Sequence, residues 1–297
     1  MINSTVIPLG SRCNSAGPRT ANNNAIQSRI AIPIVLFHGW GCGGSIWQSL
    51  MPFLNKYADI ITLDIHYCYK DVDACCEAIV KQLPATCILC GWSLGGMLAT
   101  RLASLYPLQI KGLITLATNL RFVADQHWPH AMAPAVFDEF FEAFVREPSK
   151  TSRRFASLQI KGDVDSRRQL TYLKQHSVSD KSLLMGLNYL SAIDNTKILA
   201  ADVVCPALLV FGEKDILVPL SAANEIMRLV SKHQQVVIIS DKAHVLTHID
   251  NLEIENFNTT FVVAKNLKTK KINSLLLPLH NFLANLSSLP HQQLINQ

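Results

Sequence analysis

The sequence predicts an α/β fold, a mostly parallel sheet with helices on both faces and a helical insertion, and three observations carry that prediction. Short continuous apolar runs at residues 30–37, 86–90, 112–118 and 206–212 read as strands buried on both faces. Segments of helical spacing alternate with them, which calls for parallel strands joined by right-handed crossovers and gathers the strands' carboxyl ends at one edge. Between residues 120 and 199 strands disappear and only helical patterns remain. At 297 residues, 49% apolar and 16% charged, the chain has enough material for one large domain with an insertion, or for two ordinary domains. No apolar run approaches the roughly 18–20 residues of a spanning helix. The first residues lack a secretory pattern, so a cytoplasmic protein that does not enter membranes is expected. The eight cysteines are scattered, as in a protein with free thiols.

Taken in order, residues 1–30 are polar and poorly defined. Residues 31–119 and 200–266 are expected to form the α/β core, 120–199 a helical lid, and 267–297 an extension of no assigned role. Residues 30–37 form a strand, His38-Gly39-Trp40-Gly41-Cys42-Gly43-Gly44 a loop, 45–57 a helix and 59–65 a strand. Gly39, Gly41 and Gly44 also satisfy G-x-G-x-x-G, with Asp64 near the place of a ribose-binding acid. Nothing downstream supplies a hydride-transfer site, and the same glycines suit a loop whose backbone N–H must approach an oxyanion closely.

A helix over 71–83 leads to the strand at 86–90. Gly91-Trp92-Ser93-Leu94-Gly95 then lies between that strand and the helix ending near residue 106. This is the strand–turn–helix context of a nucleophile elbow, in which bulkier neighbours at the flanking glycines would clash. Cys87 and Cys90 are spaced C-x-x-C, but three residues apart on a strand they face opposite ways, which rules out a shared metal or an easy disulfide.

Within the insertion, Phe137, Phe140, Phe141 and Phe144 have helical spacing. Between Arg146 and Lys174 basic residues outnumber acidic ones by five, which equals the formal net charge of the whole chain. No nucleic-acid-binding motif accompanies this surplus. Residues 206–212 return to strand, followed by Glu213-Lys214-Asp215, a helix over 219–230, a strand over 235–240 and Asp241-Lys242-Ala243-His244. Residues 249–266 fit a closing helix, and the apolar tail beyond is interrupted by Pro278.

Ser93, Asp215 and His244 each fall just past a predicted strand, in the chain order nucleophile, acid, base. His248 competes as base but falls a turn later. His244 and His248 lack a third ligand, so no metal is expected, and no other cofactor either.

With these residues in place the chain resembles the α/β-hydrolase superfamily over residues 31 to about 265. Within it the chain is most similar to the pimeloyl-[acyl-carrier protein] methyl ester esterases of biotin synthesis. The resemblance rests on Leu36-Phe37-His38-Gly39-Trp40-Gly41, Gly91-Trp92-Ser93-Leu94-Gly95-Gly96, Trp128-Pro129 and Arg154-Phe155-Ala156-Ser157-Leu158-Gln159. It implies a helical lid after the sixth strand and catalysis by Ser93, Asp215 and His244. It also implies oxyanion N–H groups from Trp40 and Leu94, an acyl channel lined by Phe155, and Arg154 and Arg167 facing an acyl carrier protein. A monomer is expected. Ile65-His66-Tyr67-Cys68-Tyr69 replaces the glycine-rich turn usual at that point. A general esterase acting on small esters is the alternative enzyme, and a scaffold without chemistry would have no need of all three polar residues.

Overall fold

The computed structural model describes residues 29–178, 182–249, 271–272 and 274–288. Among the described residues seven strands form one sheet: β1 (Ile34–Phe37), β2 (Ile60–Leu63), β3 (Cys87–Trp92), β4 (Ile110–Leu116), β5 (Ala207–Gly212), β6 (Gln234–Ile239) and β7 (Lys271–Ile272). Their order is β2-β1-β3-β4-β5-β6-β7 and every pairing is parallel. All carboxyl ends therefore meet at one edge.

The central strands are buried throughout, and their side chains alternate between two cores. Val35, Phe37, Cys87, Leu89, Leu113, Leu209 and Phe211 belong to one. Ile34, Leu36, Ile88, Cys90, Ile114, Leu208 and Val210 belong to the other. Cys87 and Cys90 thus lie on opposite faces, as the strand period requires. The first core is covered by α2 (Val72–Val80), α3 (Leu94–Leu105) and α9 (Leu220–Leu229), and Asp71 caps α2 by accepting from the Ala74 N–H at 2.8 Å.

Two expectations need correction. The helix expected over 45–57 is two pieces, a 3-10 helix (Gly44–Trp47) and a short α1 (Met51–Leu54). Pro52 has no N–H to continue a helix from the preceding turn, yet suits the start of a new one. The helical insertion, α4 (Pro134–Arg146), α5 (Pro148–Gln159), α6 (Ser166–His176), α7 (Leu183–Ala192) and α8 (Ile198–Ala201), follows β4, the fourth described strand; a count to a sixth strand would include residues before 29, which lie outside the described residues. The second correction concerns the tail, which joins the unit. Lys271–Ile272 pairs with β6, and α10 (Leu276–Ser287) buries Leu276, Leu279, Phe282, Leu283 and Leu286 in the second core. Pro278 does not interrupt this helix because it stands in the first turn, where backbone N–H groups have no helical partner. The Tyr57 hydroxyl and His280 Nδ1 are hydrogen-bonded, tying α10 to the chain after α1. The closing helix expected at 249–266 and the segment 1–28 lie outside the described residues. Among the described residues no helix is long and apolar enough to cross a membrane.

Leu279→Ala should destabilise the protein by about 2–5 kcal/mol, because Leu279 is fully buried in α10. Leu108→Ala, at a side chain 76% exposed, should change stability by less than about 0.5 kcal/mol. Urea unfolding at constant m-value compares them, and equal midpoints would detach α10 from the core.

Candidate active site

The site begins with a backbone constraint at the end of β3. Ser93 sits at φ 54° and ψ −121°, outside the regions that L-residues favour, and its N–H donates to the Leu116 carbonyl at 2.9 Å. The turn is possible because nothing projects from its neighbours. A Cβ on Gly91 would lie 2.5 Å from the Gly95 backbone, and one on Gly95 2.5 Å from the carbonyl oxygens of Phe37 and His38. The first turn of α3 therefore rests directly on the end of β1, presenting Ser93 half-buried at the sheet edge.

His244 and Asp215 arrive from the ends of β6 and β5. Asp215 Oδ1 accepts from the Leu217 and Val218 N–H groups at 2.8 and 3.0 Å, which leaves Oδ2 to accept from His244 Nδ1 at 2.7 Å. An ionised carboxylate only accepts, so Nδ1 carries the ring proton and Nε2 is left as an acceptor. Nε2 lies 2.9 Å from Ser93 Oγ. Asp215 and His244 are almost wholly buried. The sequence-predicted Ser93, His244 and Asp215 are thus brought together. His248 is not part of this group: it stacks on Tyr172 with centroids 4.2 Å apart.

Two indoles hold the loops around Ser93. Trp92 Nε1 donates to the His244 carbonyl at 2.9 Å. Trp40 Nε1 donates to the Leu183 carbonyl at 2.7 Å, and its ring meets Phe140, Phe144 and Phe155 edge-on at 5.8, 5.3 and 5.1 Å. The loop of residues 38–44 is in this way fastened to α4, α5 and α7. Among the described residues neither the Trp40 nor the Leu94 backbone N–H has a protein acceptor, and the latter heads α3, where the helix dipole favours negative charge.

His38 braces the same loop from below. Its Nδ1 lies 2.9 Å from the Gly39 carbonyl oxygen, and Nε2 accepts from the Ile65 N–H at 2.9 Å. Two backbone partners of opposite kind define a neutral ring, and burial accordingly pushes its pKa below the ordinary value. Asp64 accepts from the Gly44 N–H at 2.6 Å, a structural task for the acid that suggested a ribose contact. Ile65 and Tyr67, from the segment that replaces the glycine-rich turn, are buried, and Tyr67 packs edge-on against Tyr189 of α7.

A cavity of about 220 Å³ opens between the 38–44 loop and the inserted helices, lined by Trp40, Phe144, Phe155, Leu173 and Leu183, with Arg153 among its polar residues. Phe155 is buried there. Arg154 and Arg167 are exposed on α5 and α6 and have no ion pair among the described residues. Sequence reasoning missed Arg153 as a cavity residue, and missed that the Gln159 carbonyl accepts from the His244 N–H at 3.0 Å. The helical period puts 153 and 154 on different sides of α5, but which side meets the cavity depends on packing.

A family model described as the alpha/beta hydrolase fold matches residues 32–250. The biotin biosynthesis bifunctional protein BioHC of Cellvibrio japonicus (strain Ueda107) is 36% identical over 220 residues, 71% of this chain and 43% of that protein. The pimeloyl-[acyl-carrier protein] methyl ester esterase of Vibrio campbellii (strain ATCC BAA-1116) is 31% identical over 216 residues, 69% of this chain and 84% of that protein. The chain spans less than half the length of the bifunctional relative and most of the single esterase. The crystal structure of a bromoperoxidase from Bacillus anthracis superposes with a TM-score of 0.63 at 19% identity, covering 78% of this chain and 91% of that one. At that identity the likeness concerns the fold alone.

The buried neutral His38 predicts an acid limb in stability. Above its ordinary pKa of 6.5 both folded and unfolded states hold the ring neutral. Below that, the unfolded chain takes the proton first, so stability falls by up to about 1.4 kcal/mol per pH unit until the folded ring protonates. His176 and His280, also pushed down by burial, add to the limb. His38→Gln, which keeps an acceptor for Ile65, should show a shallower decline between roughly pH 6.5 and 5 in thermal melts. A slope as steep as the wild type's would mean that the folded protein holds His38 charged.

Proposed function

We propose a function from the premise that the chain belongs to the alpha/beta-hydrolase family and is a carboxylic ester hydrolase: it cleaves the methyl ester of a pimeloyl chain held as a thioester on acyl carrier protein. The observation that carries the hydrolytic reading is the unbroken path Asp215 Oδ2, His244 Nδ1, His244 Nε2, Ser93 Oγ, with links of 2.7 and 2.9 Å. In this reading Ser93 attacks the ester carbonyl while His244 takes its proton. Asp215 keeps the imidazole oriented and stabilises its positive charge. The Trp40 and Leu94 N–H groups receive the oxyanion. His244 then returns the proton to departing methanol, and water repeats the sequence on the acyl-enzyme.

The identities of 30% or more to esterases of this name support the carrier-bound substrate. Such a substrate has two activated carbonyls, and geometry must choose between them. Residues 134–201 act as a lid, with Phe155 and the apolar cavity receiving the acyl chain. Arg154 and Arg167 attract the acidic carrier to the outside of the lid, so that the arm threads inward and only the far ester reaches Ser93.

Ser93→Ala should lose on the order of 10⁴ or more in kcat with an unchanged melting temperature. A fluorophosphonate should label the wild type at Ser93 alone, and labelling elsewhere would sink the assignment. Arg154→Glu combined with Arg167→Glu should lower kcat/KM for the carrier-linked ester about ten-fold or more and spare a small p-nitrophenyl ester. Raising salt toward about 1 M should imitate the double change, because the Debye length shrinks to about 3 Å. Equal effects on both substrates, or none on either, would favour a general esterase.

A further inference from the structure

The turn between α5 and α6 lies against both loops that deliver the acid and the base. Gly162 takes φ +89°, and a Cβ on it would lie 3.2 Å from Cβ of Lys214, the residue before Asp215. Asp163 follows, its side chain 0% exposed. Its Oδ1 accepts from the Asp165 N–H at 2.8 Å and its Oδ2 from the Ala243 N–H at 2.9 Å. Lys242 Nζ sits 4.0 Å from Asp163 Oδ1 and 3.1 Å from Asp165 Oδ2, which balances the buried carboxylate.

Neighbouring bonds extend the clamp. The Val164 N–H donates to the Asp241 carbonyl at 3.1 Å and the His244 N–H to the Gln159 carbonyl at 3.0 Å. The Lys214 N–H donates to the Lys242 carbonyl at 2.8 Å, joining the acid loop to the histidine loop. Residues 241–244 belong to no helix or strand, and they start at Asp241 with φ 58°. A loop of that kind keeps its shape only while outside partners hold it. Here every residue from 241 to 244 is held, and Asp163 supplies the side chain that grips the 242–243 peptide, just before the base.

We propose that Asp163 is a positioning residue, which fixes the 242–243 peptide just before His244 so that His244 faces Asp215 with one ring nitrogen and Ser93 with the other. The proposal rests on the reading of His244 as the base of Ser93. In consequence the segment carrying the basic surface also supports the base, although Asp163 reaches neither Ser93 nor the cavity lining.

The test uses the full chain, p-nitrophenyl acetate and a fluorophosphonate. In Asp163→Ser the hydroxyl still caps the 165 N–H as a serine turn, but it is too short to hold Ala243. Its kcat should fall roughly ten- to hundred-fold with KM within about two-fold, and phosphonate labelling of Ser93 should slow in proportion. Asp163→Asn, whose amide oxygen can still accept from Ala243, should recover kcat to within about three-fold of wild type. Asp163→Glu keeps the charge for Lys242 but displaces the gripping oxygen, so it too should lose kcat at constant KM, and it decides the matter if the serine variant does not fold. Wild-type kcat in a folded serine or glutamate variant, or a rise in KM alone, would overturn the proposal. A wild type inert to the phosphonate would instead overturn the reading beneath it.

Discussion

The contact on which the rest of the molecule depends is the seating of the first turn of α3 on the ends of β1 and β3. Gly91 and Gly95 allow backbone to meet backbone there, and Ser93 is held in a conformation it would not choose. Strain is not confined to that residue. The other non-glycine residues at positive φ, among those described, are Ala117 and Asp241, just past β4 and β6. All three lie at the carboxyl edge of the sheet, so the rigid parallel strands behind them bear the cost of the strained turns.

Around the elbow, long-range bonds do what local structure cannot. The 38–44 loop and the histidine loop have little regular structure, and each is pinned by an indole N–H, from Trp40 and Trp92 respectively. Trp40 also forms the floor of the aromatic cluster that supports α4 and α5. The groups that would receive the oxyanion and the surface that would receive the acyl chain are therefore faces of one packed unit. A change in the inserted helices is felt at Trp40 through van der Waals contact and at His244 through Gln159 and Asp163.

Charge is distributed in two distinct ways over the same helices. Arg154 and Arg167 are exposed, where high dielectric and salt make the contribution of their charge to stability weak. Asp163 is buried and compensated by Lys242 and backbone N–H groups, where geometry matters more than field. The basic surplus of this stretch is thus a sum over residues of unlike purpose.

The sequence by itself determined the parallel α/β architecture, the elbow at Ser93 and the candidates Asp215 and His244. Each of these is a local matter: a strand period, a turn that tolerates only glycine, a polar residue immediately beyond a strand. It also separated Cys87 from Cys90, because the strand period is local too. Only the tertiary structure decided that His244 and not His248 meets Ser93, that Asp64 serves Gly44, and that Lys271–Ile272 and α10 return to the sheet and the core. It alone showed Asp163 gripping Ala243 across 80 positions. Those outcomes depend on partners distant in sequence, and an apolar helix or a buried acid carries no local mark of which partner it will meet once the chain has packed.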